Sequence, residues 1–381
     1  MLKYNLSYWE RETFFKDFDV AVLGCGLVGL TAALHLKRLQ PRLNVAILER
    51  GALPAGASTR NAGFACYGSM TELLDDMSRM SADDVFSIVE KRWKGLQRLR
   101  QLVGDEHMDF QPCGGFEIFT DDEEEIFREC RERMPDFNQV IGQITGHPQP
   151  YIVADEHIAR FGFRRVAHLI LNQPEGQIHP GKMMARLLQL ADEAGVRIFN
   201  GVHILSIEDS SCGVELQTAA GWVLRVPRVL VAVNGFARQL MPNLEVTPAR
   251  NQVLITHPIP GLRVQGCFHY DRGYYYFRNV DGRILLGGGR HLDYSTETTS
   301  EFGPNELIRS ALVQLLKTII CPGQPIEVDA WWTGILGLGP IKKPIVEQYS
   351  KHIVVAVRLS GMGIAIGSLV GEEGAERLLA L

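Results

Sequence analysis

The chain has 381 residues, 46% of them hydrophobic and 22% charged, with a formal net charge of −5. These values suit a globular enzyme of about two or three domains and leave no basic excess for a polyanion such as nucleic acid. The seven cysteines show no CxxC pair or Cys/His spacing, so reduced thiols, no metal and a cytoplasmic location are expected. Met1 to Lys16 carries Tyr8, Trp9, Glu10, Arg11 and Glu12, which is not the basic-then-apolar order of a signal peptide. No stretch approaches the ~20 uninterrupted apolar residues that a membrane span requires.

Asp19 to Leu23 is an apolar run that reads as a buried strand. A glycine-rich turn and a helical pattern through Leu36 follow, ended by Pro41, and Asn44 to Leu48 reads as a second strand closed by Glu49. Ser81 to Val103 predicts a long helix, with Val85, Val89, Trp93, Leu96 and Leu99 on one face. Gly115 to Thr120 predicts a strand, and the acidic run Asp121 to Glu125 a solvated helix start. Pro180 fits the first turn of a helix running to Glu193, with His179 at its entry. Strand-like runs occupy Val196 to Ile207, and Arg225 to Val233 reads as one further strand.

From Val246 to Arg290 the pattern becomes β-rich and aromatic, and Ile353 to Val357 returns to a buried strand before a final helix. The expected fold class is α/β (α+β overall). A Rossmann-like nucleotide domain is assembled from discontinuous segments (1–85, 150–245 and 325–381), and a mainly antiparallel β-sheet domain (86–149 and 246–324) is inserted.

Gly24, Gly26 and Gly29 form G-x-G-x-x-G between the first strand and its helix. The first glycine permits the tight turn, the second admits a pyrophosphate, and the third lets helix pack on strand. The diphosphate belongs at the positive helix end near Leu27 and Val28. Glu49, about 20 residues on, is placed to accept ribose hydroxyls, with Arg50 beside it. This pattern serves NAD and FAD alike. Two further clusters bear on the choice. Gly56 to Gly63, containing Ser58, Thr59, Arg60, Asn61 and Ala62, can lie flat against a planar ring system. Ser360-Gly361-Met362-Gly363-Ile364 opens the last helix, whose N-terminus can stabilise negative charge on a reduced flavin. Either cluster alone also fits a plain turn.

Together these segments resemble the D-amino-acid-oxidase-like family of FAD-dependent oxidoreductases, which includes glycine, sarcosine and γ-glutamylputrescine oxidases. Gly56 to Gly63 resembles the family's flavin loop, and Ile178 to Lys182 the segment before its third helix. Ile204 is similar in position to the residue that meets the adenine. Ala232, Asn234 and Gly235 resemble the family's strand end beside the nucleotide, Gly334 lies in its W-x-G motif, and Ser360 to Gly363 resembles its closing S-G-H-G. The resemblance implies a noncovalent FAD, a substrate cavity under the inserted sheet, and hydride transfer from an amine-bearing carbon. O2 is the implied acceptor, giving H2O2. The chain departs from the family at Leu336, where an arginine pairs with the substrate carboxylate, at Leu285, where sarcosine oxidases have lysine, and at Met362, a frequent histidine.

Tyr274 and Tyr276 alternate with Tyr275 and so share a face, where they could cage an amine, although aromatic stripes more often pack a core. Arg278 on that face is a candidate for a substrate carboxylate, with Arg290 and Arg60 as substitutes from other walls. His269 reads as a satisfied or solvated histidine. The expected activity is FAD-dependent dehydrogenation of a small-molecule amine or amino acid, with O2 or another acceptor. The alternatives are a 2-hydroxy-acid dehydrogenase on the same scaffold and a non-catalytic flavin-binding sensor module.

Overall fold

A computed structural model describes residues 5–381, so the start of the N-terminal segment (1–4) lies outside the described residues. From Ser7, which caps it, the segment forms the helix Tyr8–Phe14. A 6-stranded sheet follows. Val20–Leu23 lies at its centre between Arg228–Val231 and Val45–Glu49; Ile353–Val357 and Arg197–Asn200 flank these, all parallel. Ile345–Ser350 adds an antiparallel edge.

The near-continuous apolar runs of these strands match burial on both faces. Val20 and Val22 point into a core made with the helices Leu27–Leu39, Pro180–Glu193 and Gly363–Leu379. Ala21 and Leu23 point the other way, into a core shared with the small meander Ile204–Ser210, Gly213–Thr218 and Val223–Val226.

An 8-stranded sheet forms the second layer, in the order Val328–Leu338, Thr247–Thr256, Arg283–Gly288, Tyr275–Val280, Cys267–Tyr270, Gly115–Thr120, Val166–Asn172 and Tyr151–Val153. Its pairings are antiparallel except that of Cys267–Tyr270 with Gly115–Thr120. The α/β class and the mainly antiparallel second sheet agree with the sequence reading. Tyr151–Val153, Val166–Asn172 and Val328–Leu338, which the divisions at 150 and 325 place with the nucleotide domain, pair within this second sheet instead. The helix Ala82–Val103 is shared. Val85 and Val89 pack toward the helix Glu124–Thr145, whereas Leu96, Leu99 and Val103 join the nucleotide-domain core.

One predicted strand divides. Residues 225–233 are split at Pro227, which has no N–H to offer a ladder. Val223–Val226 stays in the meander and Arg228–Val231 enters the parallel sheet. The other elements stand close to where the pattern puts them, including the His179 side chain accepting the Lys182 N–H at the helix entry.

The last helix crosses the helix Leu27–Leu39 at close range. A Cβ on Gly371 would collide with Thr31 Oγ1 and lie 2.7 Å from the Val28 carbonyl oxygen. Gly371→Val is therefore expected to lower stability by about 1–3 kcal/mol through overpacking, read as a fall in the urea midpoint with unchanged slope.

Candidate functional site

Two cavities meet at the seam between the layers. The first, about 210 Å3, opens at the carboxyl ends of the parallel strands and is lined by Gly24, Gly26, Leu27, Val28, Glu49 and Arg50. Ser58, Asn61, Ile204, Ala232, Asn234 and Gly363 reach it as well. Gly24 has φ +100°, so a side chain there is strained, and a Cβ on Gly29 would collide with the Gly24 carbonyl oxygen. The Glu49 carboxylate is 8% exposed and accepts the Cys25 N–H (3.0 Å) and the Gly51 N–H (2.9 Å). Two donors thus fix its orientation at the strand end. Ser58 Oγ accepts the Leu27 N–H at 2.9 Å, tying the 56–63 loop to the helix N-terminus. That loop also braces itself: Asn61 Oδ1 accepts the Gly63 N–H while Nδ2 donates to the Ala57 and Ser58 carbonyls.

The second cavity, about 320 Å3, lies under the large sheet. Ala57, Asn61, Leu336, Gly361 and Ile364 line both cavities, so the two are joined there. Arg60, Ala62, Gly63, Gly334 and Met362 face the second cavity, as do Tyr274 and Tyr276. Tyr276 is half-buried, and burial pushes its phenol up to about 12. Its ring lies against Gly287, the residue paired with it on the next strand, where a Cβ would come within 2.6 Å of the ring. Tyr274 Oη accepts a hydrogen bond from Tyr294 Oη at 2.6 Å.

The backbone is strained where the cavities join. Asn234, Arg358 and Ser360 have φ of 44°, 65° and 50°. Asn234 Oδ1 accepts the N–H groups of Arg358 and Leu359, holding the last strand's end in this conformation. Such strain concentrates at functional sites. Ser360 Oγ is buried there with no hydrogen-bond partner among the described residues.

Three of the sequence candidates do something else. Arg278 is 5% exposed and does not line the cavity; its Nη1 donates to the carbonyls of Ala62, Gly63 and Ile178. It fixes the 56–63 loop rather than meeting a substrate. Thr59 donates to the Pro54 carbonyl (2.6 Å) outside both cavities, and Gly235 packs on the backbone of Leu336.

Sequence reasoning missed an ionic wall. The helix Met70–Met77 brings Glu72, Asp75 and Asp76 to the second cavity, opposite Lys342. Lys342 Nζ lies 2.8 Å from Glu72 Oε1 and 3.1 Å from Asp76 Oδ1. Burial alone would raise the Glu72 carboxyl, but Lys342 and Arg92 bring it down to about 2. Burial prevails at Asp76, whose carboxyl is raised. The i, i+4 spacing of Glu72 and Asp76 was the available signal for a shared face. His269 is neither solvated nor satisfied: it is 8% exposed, burial lowers its pKa, and Nε2 has no partner among the described residues. It comes within 4.8 Å of Cys66 and Glu175. Glu175 Oε1 there accepts the Tyr67 and Gly68 N–H groups, and burial pushes its carboxyl up to about 8.

The residues present fit an FAD. The first cavity offers a glycine turn at a helix N-terminus and an oriented glutamate, and the second begins at the 56–63 loop, with the buried Ser360 hydroxyl left to be satisfied.

The family description "FAD dependent oxidoreductase" (DAO) matches residues 19–377. The chain belongs to this family. It is an FAD-dependent oxidoreductase, and the resemblance read from its glycine motifs is borne out. It is 24% identical over 403 residues to the probable oxidoreductase OrdL of Rhizobium meliloti, covering 99% of this chain and 87% of the relative. It is 25% identical over 376 residues to the gamma-glutamylputrescine oxidoreductase of Escherichia coli, covering 94% and 83%. The crystal structure of glycine oxidase from Geobacillus kaustophilus superposes with a TM-score of 0.75 at 20% identity, covering 94% and 95%. Among the described residues no helix is long and apolar enough to cross a membrane.

Two outcomes are expected. Glu49→Ala weakens FAD binding by about tenfold or more, the loss of a hydrogen bond to a charged group, measured by titrating apoprotein with FAD and following flavin fluorescence. Glu175 keeps its proton in the fold up to about 8, whereas an unfolded glutamate loses it near about 4.3. Its contribution to stability is thus present below that lower value and is lost as pH rises through the folded one. Glu175→Gln should flatten the stability slope between these limits, measured by urea unfolding across the window.

Proposed function

We propose that the protein oxidises an amine or amino acid at a C–N bond, holding FAD noncovalently and passing the electrons to O2 to give H2O2. FAD, when bound, supplies the two-electron acceptor for hydride. The observation that carries the reading is the joining of the two cavities at Leu336, Gly361 and Ile364. With Ala57 and Asn61, those residues place a mainly apolar seam between a dinucleotide cavity and a polar one, a setting that suits hydride transfer while the rest of the substrate is held by hydrogen bonds and charge.

The chemistry of the second cavity favours an amine. Glu72, Asp75 and Asp76 stand on its wall and give an amine hydrogen-bond acceptors at close range, each of them already facing a cation. Tyr276 offers an aromatic face. His269, kept toward its neutral form by burial, adds no positive charge against the amine. The relatives named for gamma-glutamylputrescine and glycine oxidation support the same class. Among the described residues, Cys66 is the cysteine that reaches the second cavity, and burial pushes its thiol up to about 12. A thiol that keeps its proton is a poor nucleophile toward a flavin, which supports noncovalent binding.

The test is anaerobic titration of the purified yellow protein with primary and N-methyl amines, amino acids and 2-hydroxy acids, followed by admission of air. Bleaching by an amine, peroxide on reoxidation, and release of the flavin to the supernatant on acid precipitation are expected. Bleaching by hydroxy acids alone would overturn the amine reading, and reoxidation by a dye but not by air would overturn the role of O2.

A further inference from the structure

The seam between the cavities carries no cation. Leu336 lines both, so an anion attached to the reacting carbon would meet a leucine. Most cations of the second cavity are already engaged. Lys342 is held between Glu72 and Asp76, and Arg79 pairs with Asp75 at 3.3 Å. Arg60 donates to the Ala55 and Thr333 carbonyls and lies over the ring of Phe302.

Arg290 differs. It lines the cavity, and among the described residues its guanidinium forms no ion pair and no hydrogen bond. It lies 4.7 Å over the ring of Tyr294, whose hydroxyl is fixed in turn by Tyr274. A stacked guanidinium keeps its in-plane donors free for an anion. Arg272, exposed on the turn before Tyr274, also lines this cavity and adds to its positive charge.

Sheet position sets the separation. Leu336 pairs with Ala249, near the end of the sheet at which the strand Arg283–Gly288 finishes, but its strand and that one are separated by Thr247–Thr256. Two strand spacings are about 10 Å. Gly289, with φ +76°, then turns the chain into Arg290, which lines the second cavity and not the first, whereas Leu336 lines both. The free guanidinium therefore stems from a point to one side of the seam, across the intervening strand.

We propose that Arg290 is a specificity-determining residue that binds a carboxylate held several bonds away from the carbon undergoing oxidation, so that the substrate is an amine with a remote anionic end rather than a simple α-amino acid. This rests on the amine-oxidising reading above.

The test uses FAD-loaded protein and two readouts. In the first, hexanoate, which has no amine to oxidise, is titrated against the flavin absorbance of wild type, Arg290→Met and Arg290→Lys. A Kd about tenfold or more weaker in Arg290→Met, partly recovered in Arg290→Lys, is expected. No hexanoate binding to the wild type, or a Kd within twofold in Arg290→Met, overturns the proposal. In the second, anaerobic flavin reduction by ε-aminocaproate is compared with reduction by norleucine, the isomer with its carboxylate beside the amine. A wild-type preference of about tenfold for ε-aminocaproate that collapses in Arg290→Met supports the proposal, and a preference for norleucine overturns it. If no amine bleaches the flavin, the amine reading fails while the hexanoate titration still decides the role of Arg290.

Discussion

A single buried guanidinium joins the parts of the molecule that the chain keeps far apart. Arg278 stands on a strand of the large sheet and donates from Nη1 to the carbonyls of Ala62, Gly63 and Ile178. Two of those oxygens belong to the 56–63 loop and the third to the segment entering the helix Pro180–Glu193. Burial lowers its pKa, yet an arginine remains charged in any protein environment. Left without acceptors, a buried charge would be strongly destabilising. The three carbonyls therefore cannot move away independently, and the loop is locked to the large sheet. Removing the guanidinium would take this donor from all three oxygens, of which Gly63 keeps the Ile178 N–H, and would release the loop from the sheet.

The opposite side of the seam is held by a different device. Asn234 ends the strand Arg228–Val231 in a left-handed conformation and accepts the amides of Arg358 and Leu359, which follow the strand Ile353–Val357. Arg358 is anchored in its turn by the Lys343 and Glu245 carbonyls. These contacts over-determine a turn that non-glycine residues adopt at a cost of order 1–3 kcal/mol each. What they secure is the direction of the last helix, whose N-terminus at Gly363 points at the first cavity. Rigid walls on both sides make orientation a property of the fold, not of the ligand.

The legible part of this site was its local part. Strand, glycine turn, helix and acid between Val20 and Glu49 follow one another in sequence, so spacing alone placed Gly24, Gly29 and Glu49. The same holds for Ile353–Val357 and the helix after it. The illegible part depends on long-range pairing. Arg278 reaches Ala62 across 216 positions and Ile178 across 100, and nothing in the run Tyr274 to Arg278 distinguishes a residue that faces the cavity from one that faces the loop. Lys342 meets Glu72 across 270 positions. The domain divisions blurred for the same reason: Val328–Leu338 reads as the return to the nucleotide domain, but its partner is Thr247–Thr256. Only the split at Pro227 carried a local signal that the apolar run concealed.

The ionic wall and the free guanidinium impose opposite demands on a ligand, and the geometry reconciles them. Glu72, Asp76 and Lys342 form a cluster in which each carboxylate already faces a cation, so this wall offers polarity with little net charge. Asp76, whose carboxyl burial raises, is the member least committed to its charge and thus the easiest to adapt to a neighbouring ammonium. Arg290, stacked and without an acceptor among the described residues, keeps a full charge available. Tyr276, which burial keeps in its phenol form, and Leu336 of the apolar seam line the same cavity. A ligand that spans this distance satisfies both ends, whereas one carrying both charges on adjacent atoms must leave one of them facing leucine. Discrimination then comes from the cost of an unpaired charge at the seam as much as from the contact made at the far end.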